Sequence, residues 1–185
     1  MQDFTKAREY LINAEKIARE IGEKEVLRRV YVSLGELILA ETVGRKAYSV
    51  ERKAKTYAET ALKLAEELNS KSGKAEVLLL QARIMVEQAS LPETPLTPLN
   101  KGEFKEAGDK FKSAISIFEE LKQPFEIAKA YYYYAQSIKT VGTGLVPVQF
   151  DDKSEEYLQK ASELFEKIGA KAWLEKIEGD AGLSA

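Results

Sequence analysis

Residues 107–137 read AGDKFKSAISIFEELKQPFEIAKAYYYYAQS. Ala107, Phe111, Ala114, Ile115, Phe118 and Leu121 recur at the three- and four-residue spacing of a helix that buries one face. Gln123-Pro124 breaks the pattern, and proline suits the first position of a new helix. The stripe then resumes at Ile127, Tyr131, Tyr134, Ala135 and Ile138. One such hairpin cannot cover both of its own apolar faces, so further helices must stack on each side.

The hairpin recurs along the chain. Ala7, Ala54, Ala107 and Ser154 align at spacings of 47, 53 and 47 residues. Four positions on stand Leu11, Ala58, Phe111 and Leu158, and seven on stand Ala14, Ala61, Ala114 and Ala161. Fourteen on come Ile21, Leu68, Leu121 and Ile168, and twenty-eight on come Gly35, Ala82, Ala135 and Gly182. A small residue at a fixed helix position marks close helix–helix approach, and its recurrence at this period marks a helical solenoid.

These positions resemble the tetratricopeptide repeat, in a longer-helix variant of about 40 residues per repeat. The first-helix pattern stands as Tyr31…Leu34-Gly35…Ile38, weakens in Leu78…Gln81-Ala82…Met85, and returns as Tyr131…Tyr134-Ala135…Ile138. The second-helix pattern is clearest as Ala107…Phe111…Ala114. Gln81 and Ser154 depart from it, as do the long inserts. The resemblance covers nearly the whole chain. It implies an all-α, antiparallel helix-hairpin solenoid, a superhelix of about eight helices in a single domain over residues 1–185.

Composition bounds the chemistry. The 185 residues are 44% apolar and carry 28 basic against 30 acidic side chains, a net charge of −2. That balance gives no reason to expect nucleic acid or an acidic membrane as partner. There is no histidine and no cysteine, so thiol, Ser-His-Asp and zinc-finger chemistry are excluded. Gly142 and Gly144 in TVGTGLV lack the lysine ending of a phosphate loop. Glu66-Glu67, Glu119-Glu120 and Asp151-Asp152 read as solvated faces or caps. No cofactor, metal or catalytic residue is expected, and a cytoplasmic setting is.

The helices expected are Asp3–Ile21, Lys24–Glu41, Val50–Leu68, Lys74–Gln88, Gly102–Leu121, Phe125–Thr140, Asp151 or Asp152 to Ile168, and Lys171–Glu178. Asp3 and one of the two aspartates would be N-caps, Gly22 a C-terminal breaker, and 69–73 a turn. The first helix would bury Ala7, Leu11, Ala14, Ile17, Ala18 and Ile21. In the phase of the resembled repeat, the first helix lacks a preceding partner and the last a following one. Either the chain is a piece of a longer protein or a second copy covers its ends, as in a homodimer.

Connections from second to first helices are short, whereas those at 42–49, 89–101 and 141–150 are long. The second holds Pro92, Pro95 and Pro98 with Leu91, Leu96 and Leu99; the third holds Leu145, Val146, Val148 and Phe150. They fold back over the hairpin ends, form an exposed docking edge, or are simply disordered.

The resemblance implies that the first helices line a concave groove for a protein or peptide partner. The matching positions are Arg29, Val32, Ser33 and Glu36; Glu76, Leu79, Leu80 and Arg83; and Lys129, Tyr132, Tyr133 and Gln136. Tyr132 and Tyr133 lie about 100° and 200° round from Tyr131, so one stripe cannot bury all four tyrosines. Each either faces the groove or packs on the neighbouring repeat. Arg83 and Lys129 would be neighbours able to clamp a carboxylate, or would form ordinary surface ion pairs.

Overall fold

The structure, a computed structural model, describes residues 4–42, 48–89, 101–142 and 153–182. Among these residues there are eight helices and no strand: α1 (Phe4–Ile21), α2 (Lys24–Thr42), α3 (Tyr48–Glu67), α4 (Lys71–Ala89), α5 (Lys101–Glu120), α6 (Pro124–Gly142), α7 (Ser154–Lys167) and α8 (Lys171–Gly182). Each packs on its neighbours in chain order, and α4 also touches α2 and α6. The chain is an all-α solenoid of helical hairpins.

Three apolar clusters hold it together. The first joins α2, α3 and α4 through Leu34, Ile38, Ala54, Ala58, Ala61, Val77 and Leu80. The second joins α4, α5 and α6 through Leu79, Ala82, Phe104, Phe111, Phe118 and Tyr134. The third joins α6, α7 and α8 through Ala128, Tyr132, Ala161 and Phe165, with Trp173 and Leu174 against them. Each cluster is a helix of the inner layer, the helix after it and the next inner helix, so the core is renewed once per repeat. The small residues of the register are what permit this. A β-carbon on Gly35 would lie 2.7 Å from Leu80 Cδ2, so α2 and α4 are in contact because position 35 has no side chain.

The four short turns share one geometry. Gly22, Asn69, Lys122 and Gly169 all have φ between 50° and 74°. In each turn the following amide donates to the carbonyl five residues back: Glu23 to Ala18, Ser70 to Ala65, Gln123 to Phe118 and Ala170 to Phe165, at 2.8–3.0 Å. This left-handed helix ending satisfies carbonyls that would otherwise have no partner. It recurs at the spacing of the apolar repeat. Ile21, Leu68, Leu121 and Ile168 are therefore the residues entering the turn, and all but the half-buried Leu121 are exposed.

Several boundaries differ from the sequence reading. Helix α4 begins at Lys71, because Ser70 Oγ accepts the Gly73 amide at 3.0 Å and caps the helix; Lys71–Gly73 are its first turn. Helix α3 begins at Tyr48, and α8 continues past Gly179 to Gly182. Helix α7 begins at Ser154, after a Lys153 that makes no side-chain cap. The buried stripe expected for α1 is only partly buried. Ala18 is in the core, Ala7, Leu11 and Ala14 are half-buried, but Ile17 and Ile21 are exposed. The reason is that, among the described residues, α1 packs on α2 alone. The expected caps Asp3, Asp151 and Asp152, and the loop segments 43–47, 90–100 and 143–150, lie outside the described residues.

Candidate functional site

The inner helices α2, α4, α6 and α8 enclose an open groove of about 870 Å³. Its lining includes Ser33, Glu36 and Leu37 of α2; Arg83, Val86 and Glu87 of α4; Tyr132, Tyr133, Gln136 and Ser137 of α6; and Lys176 and Asp180 of α8, with Leu11 of α1 at its end.

Of the twelve positions expected to line a groove, six do: Ser33, Glu36, Arg83, Tyr132, Tyr133 and Gln136. The other six are elsewhere. Val32, Leu79 and Leu80 are buried in the contacts between α2, α4 and their outer partners. The inner helices touch one another, so a position one step round the wheel passes from groove to core. Arg29 is exposed outside the lining, and Glu76 is taken up by Arg28, whose Nη1 donates to its Oε2 at 2.9 Å. Lys129 stands behind Glu36, with Nζ 3.2 Å from Oε1.

The four tyrosines separate by role. Tyr131 and Tyr134 stack on Tyr157 at centroid distances of 5.6 and 4.8 Å, and Tyr134 also stacks on Phe111 at 5.0 Å. Tyr132 reaches the lining but is only 3% exposed, covered edge-on by Trp173 at 5.5 Å, and its hydroxyl donates to Asp180. It is a strut between α6 and α8 rather than a free contact. Tyr133 alone of the four lies half-buried on the floor, with the Arg83 guanidinium 3.7 Å over its ring.

Electrostatics fix this floor. Glu36 accepts from Arg83 at 3.3 Å and lies beside Lys129, so the carboxylate the two cations hold belongs to the chain itself. The expected clamp for a partner's carboxylate is thereby closed. Burial works to lower the Lys129 pKa, but Glu36 and Glu126 together hold it above its ordinary value. Burial raises the Glu87 pKa, and the nearby Arg83 opposes it. Lys176 lies over the rings of Trp173, Tyr132 and Tyr133 at 5.0–5.7 Å, and burial, then Arg83, lowers its pKa. Tyr132 and Tyr133 are both raised, chiefly by burial.

Lys176 and Asp180 were missed in the sequence, yet the register carried a signal. Lys176 occupies in α8 the position of Arg29, Glu76 and Lys129 in α2, α4 and α6, and Asp180 that of Ser33, Leu80 and Tyr133. Extending the groove positions to the last inner helix names both. Glu87 and Ser137 stand at register positions that were not assigned to the groove, although Ala40 and Leu37 line it from the same positions of α2. Among the described residues no group of three or more acidic side chains is placed to hold a metal, and no helix is long and apolar enough to cross a membrane. The sequence matches no protein-family model, and no curated protein matches it.

Proposed function

We propose that this chain is a non-catalytic protein–protein interaction module, a tetratricopeptide-like scaffold that holds an extended peptide of a partner protein in the groove. The observation that carries this is the groove floor itself, assembled from one stretch of each of four successive inner helices. Three interaxial steps of about 9 Å span about 27 Å, which about 8 residues of extended chain would cross. Tyr133 under Arg83 offers contact area with a polar tip, the chemistry that interfaces favour. The cysteine- and histidine-free composition suits a cytoplasmic signalling or regulatory setting. Panning a library of random displayed peptides tests the reading. Selected peptides should bind the wild type and lose at least tenfold in affinity with Tyr133→Ala or Arg83→Ala. Absence of any selected binder, or binding indifferent to both substitutions, counts against it.

A second reading is a peptide or small-ligand sensor. It is favoured by the way α8 closes the groove through polar contacts from Asp180 to Tyr132 and Gln136. A ligand competing for Asp180 would release α8 and change the curvature. Spin labels at exposed positions of α2 and α8 would report that movement, and a constant distance on addition of selected peptides would exclude it.

A further inference from the structure

Among the described residues the most exposed large apolar side chains are on α1, and all but Ile12 fall on a face that no other described helix covers. Tyr10 is 72% exposed, Ile17 56% and Ile21 64%. At 100° per residue they fall, with Ala14, within about 60° of one another, so they form one continuous stripe along the helix. Nothing in the groove uses this stripe. Exposed apolar stripes of this kind are uncommon on a monomer's surface.

The border of the stripe says what fits it. Lys6, Asn13 and Glu20 run along one side, with Lys6 and Glu20 each seven residues from Asn13. Turned end for end about Asn13, the helix presents Glu20 where Lys6 stood and Lys6 where Glu20 stood. A second, antiparallel α1 therefore meets each Lys6 with the Glu20 of the other copy, twice by symmetry, and brings Asn13 opposite itself. Glu9 and Lys16, four residues before and three after Asn13, repeat the alternation one row further out. In a parallel copy this border would face the opposite edge of the partner's stripe, where Ala7, Leu11 and Ala18 turn towards α2, and the charges would find no counterpart. Self-complementarity under a two-fold rotation is what an isologous interface requires, and flanking charges are what set helix orientation.

We infer that α1 is a self-association surface, on which a second copy of this chain docks antiparallel through Tyr10, Ile17 and Ile21 with Lys6–Glu20 pairs at the border. Tyr10, Ile17 and Ile21 are absent from the groove lining, to which α1 contributes only Leu11. One helix pair makes a small interface, so association is concentration-dependent rather than permanent.

Light scattering and sedimentation over roughly 1 µM to 1 mM test it. The mass is expected to rise from 20.7 kDa towards twice that value. Ile17→Glu should raise the dissociation constant at least ~30-fold with an unchanged far-ultraviolet spectrum, since Ile17 lies outside the core. Glu20→Lys should weaken association about tenfold, and the double variant Lys6→Glu with Glu20→Lys should recover to within about threefold of the wild type. The charge variants are on the surface and keep the test decisive if Ile17→Glu misfolds. A mass that stays at 20.7 kDa throughout overturns the inference, and that result would leave the stripe to another occupant. So does a dimer that Ile17→Glu leaves intact, or a charge swap that fails to recover.

Discussion

Gly73 of α4 lies against the buried side chain of Arg28 in α2: a β-carbon at position 73 would stand 2.7 Å from Arg28 Nε and 2.9 Å from Cζ. Arg28 is 2% exposed and donates to both oxygens of Glu25, at 2.6 and 3.0 Å, and to Glu76. Burial works to lower its pKa, and the two carboxylates outweigh that and raise it. A guanidinium lies inside the solenoid only because glycine leaves room and two acids neutralise it. Gly73→Ala should therefore destabilise by about 1–3 kcal/mol despite alanine's better helix propensity. Gly179→Ala, where nothing lies within 4 Å of the added carbon, should stabilise by about 0.5–1 kcal/mol. Urea unfolding of both variants checks the pair, and equal shifts in one direction would refute the steric account.

Two of the four left-handed turn positions are not glycine. Lys122 has φ 53° and Asn69 φ 50°. A lysine there carries a steric cost that glycine avoids, whereas asparagine tolerates the region better. Lys122→Gly is expected to stabilise by about 0.5–1 kcal/mol and Asn69→Gly by less, while Gly22→Ala and Gly169→Ala destabilise by about 1 kcal/mol each. Thermal melting of the four variants orders them.

Trp173, the single tryptophan, ties α8 to the solenoid. It stacks on Phe165 at 5.0 Å and meets Phe125, Tyr132 and Tyr133 edge-on at 5.5–6.0 Å. Trp173→Ala should weaken the docking of α8 by about 2–3 kcal/mol, the discount from full burial reflecting its half-exposed ring. In a stacked array the loss stays local. Amide exchange should accelerate over 171–182 and leave α2–α5 unchanged; uniform acceleration would show the array to be a single cooperative unit.

The Glu126 carboxyl is held above its usual range, first by burial, with Lys129 opposing and Glu76 and Glu36 adding to it. Its Oε2 has no hydrogen-bond partner and lies 3.8 Å from Lys129 Nζ. An acid whose folded pKa is raised contributes stability that is full below its unfolded value and lost as pH rises through the folded one. Glu126→Gln should therefore be more stable than the wild type at pH 7, by less than about 1 kcal/mol, and the difference should close as pH falls to about 4. A difference that grows on acidification would contradict the assignment.

The local chemistry of the chain determined the repeat. The spacing of Ala54, Ala58 and Ala61, of Ala107, Phe111 and Ala114, and of Ala161 and Phe165 fixed which faces are buried, because helix periodicity needs no distant partner to be read. Pro124 and the turn glycines marked helix ends for the same local reason. Lys122 shares the turn geometry without its residue type, so nothing in its identity announced it, whereas Asn69 is a residue that this geometry accepts. What neighbouring helices decide was set only by tertiary structure. Arg28 and Arg29 are adjacent and chemically alike, yet one is buried between two glutamates and the other is exposed. Tyr132 and Tyr133 are likewise identical in sequence and both meet Trp173 of α8, but the first is buried with its hydroxyl on Asp180 and the second is half-buried on the groove floor beneath Arg83. Where a helix has a neighbour on each side, burial of its face follows from its own pattern, as it does not for Ile17 and Ile21 of α1; which residue at the edge of that face meets solvent, groove or core follows from how close the next helix comes.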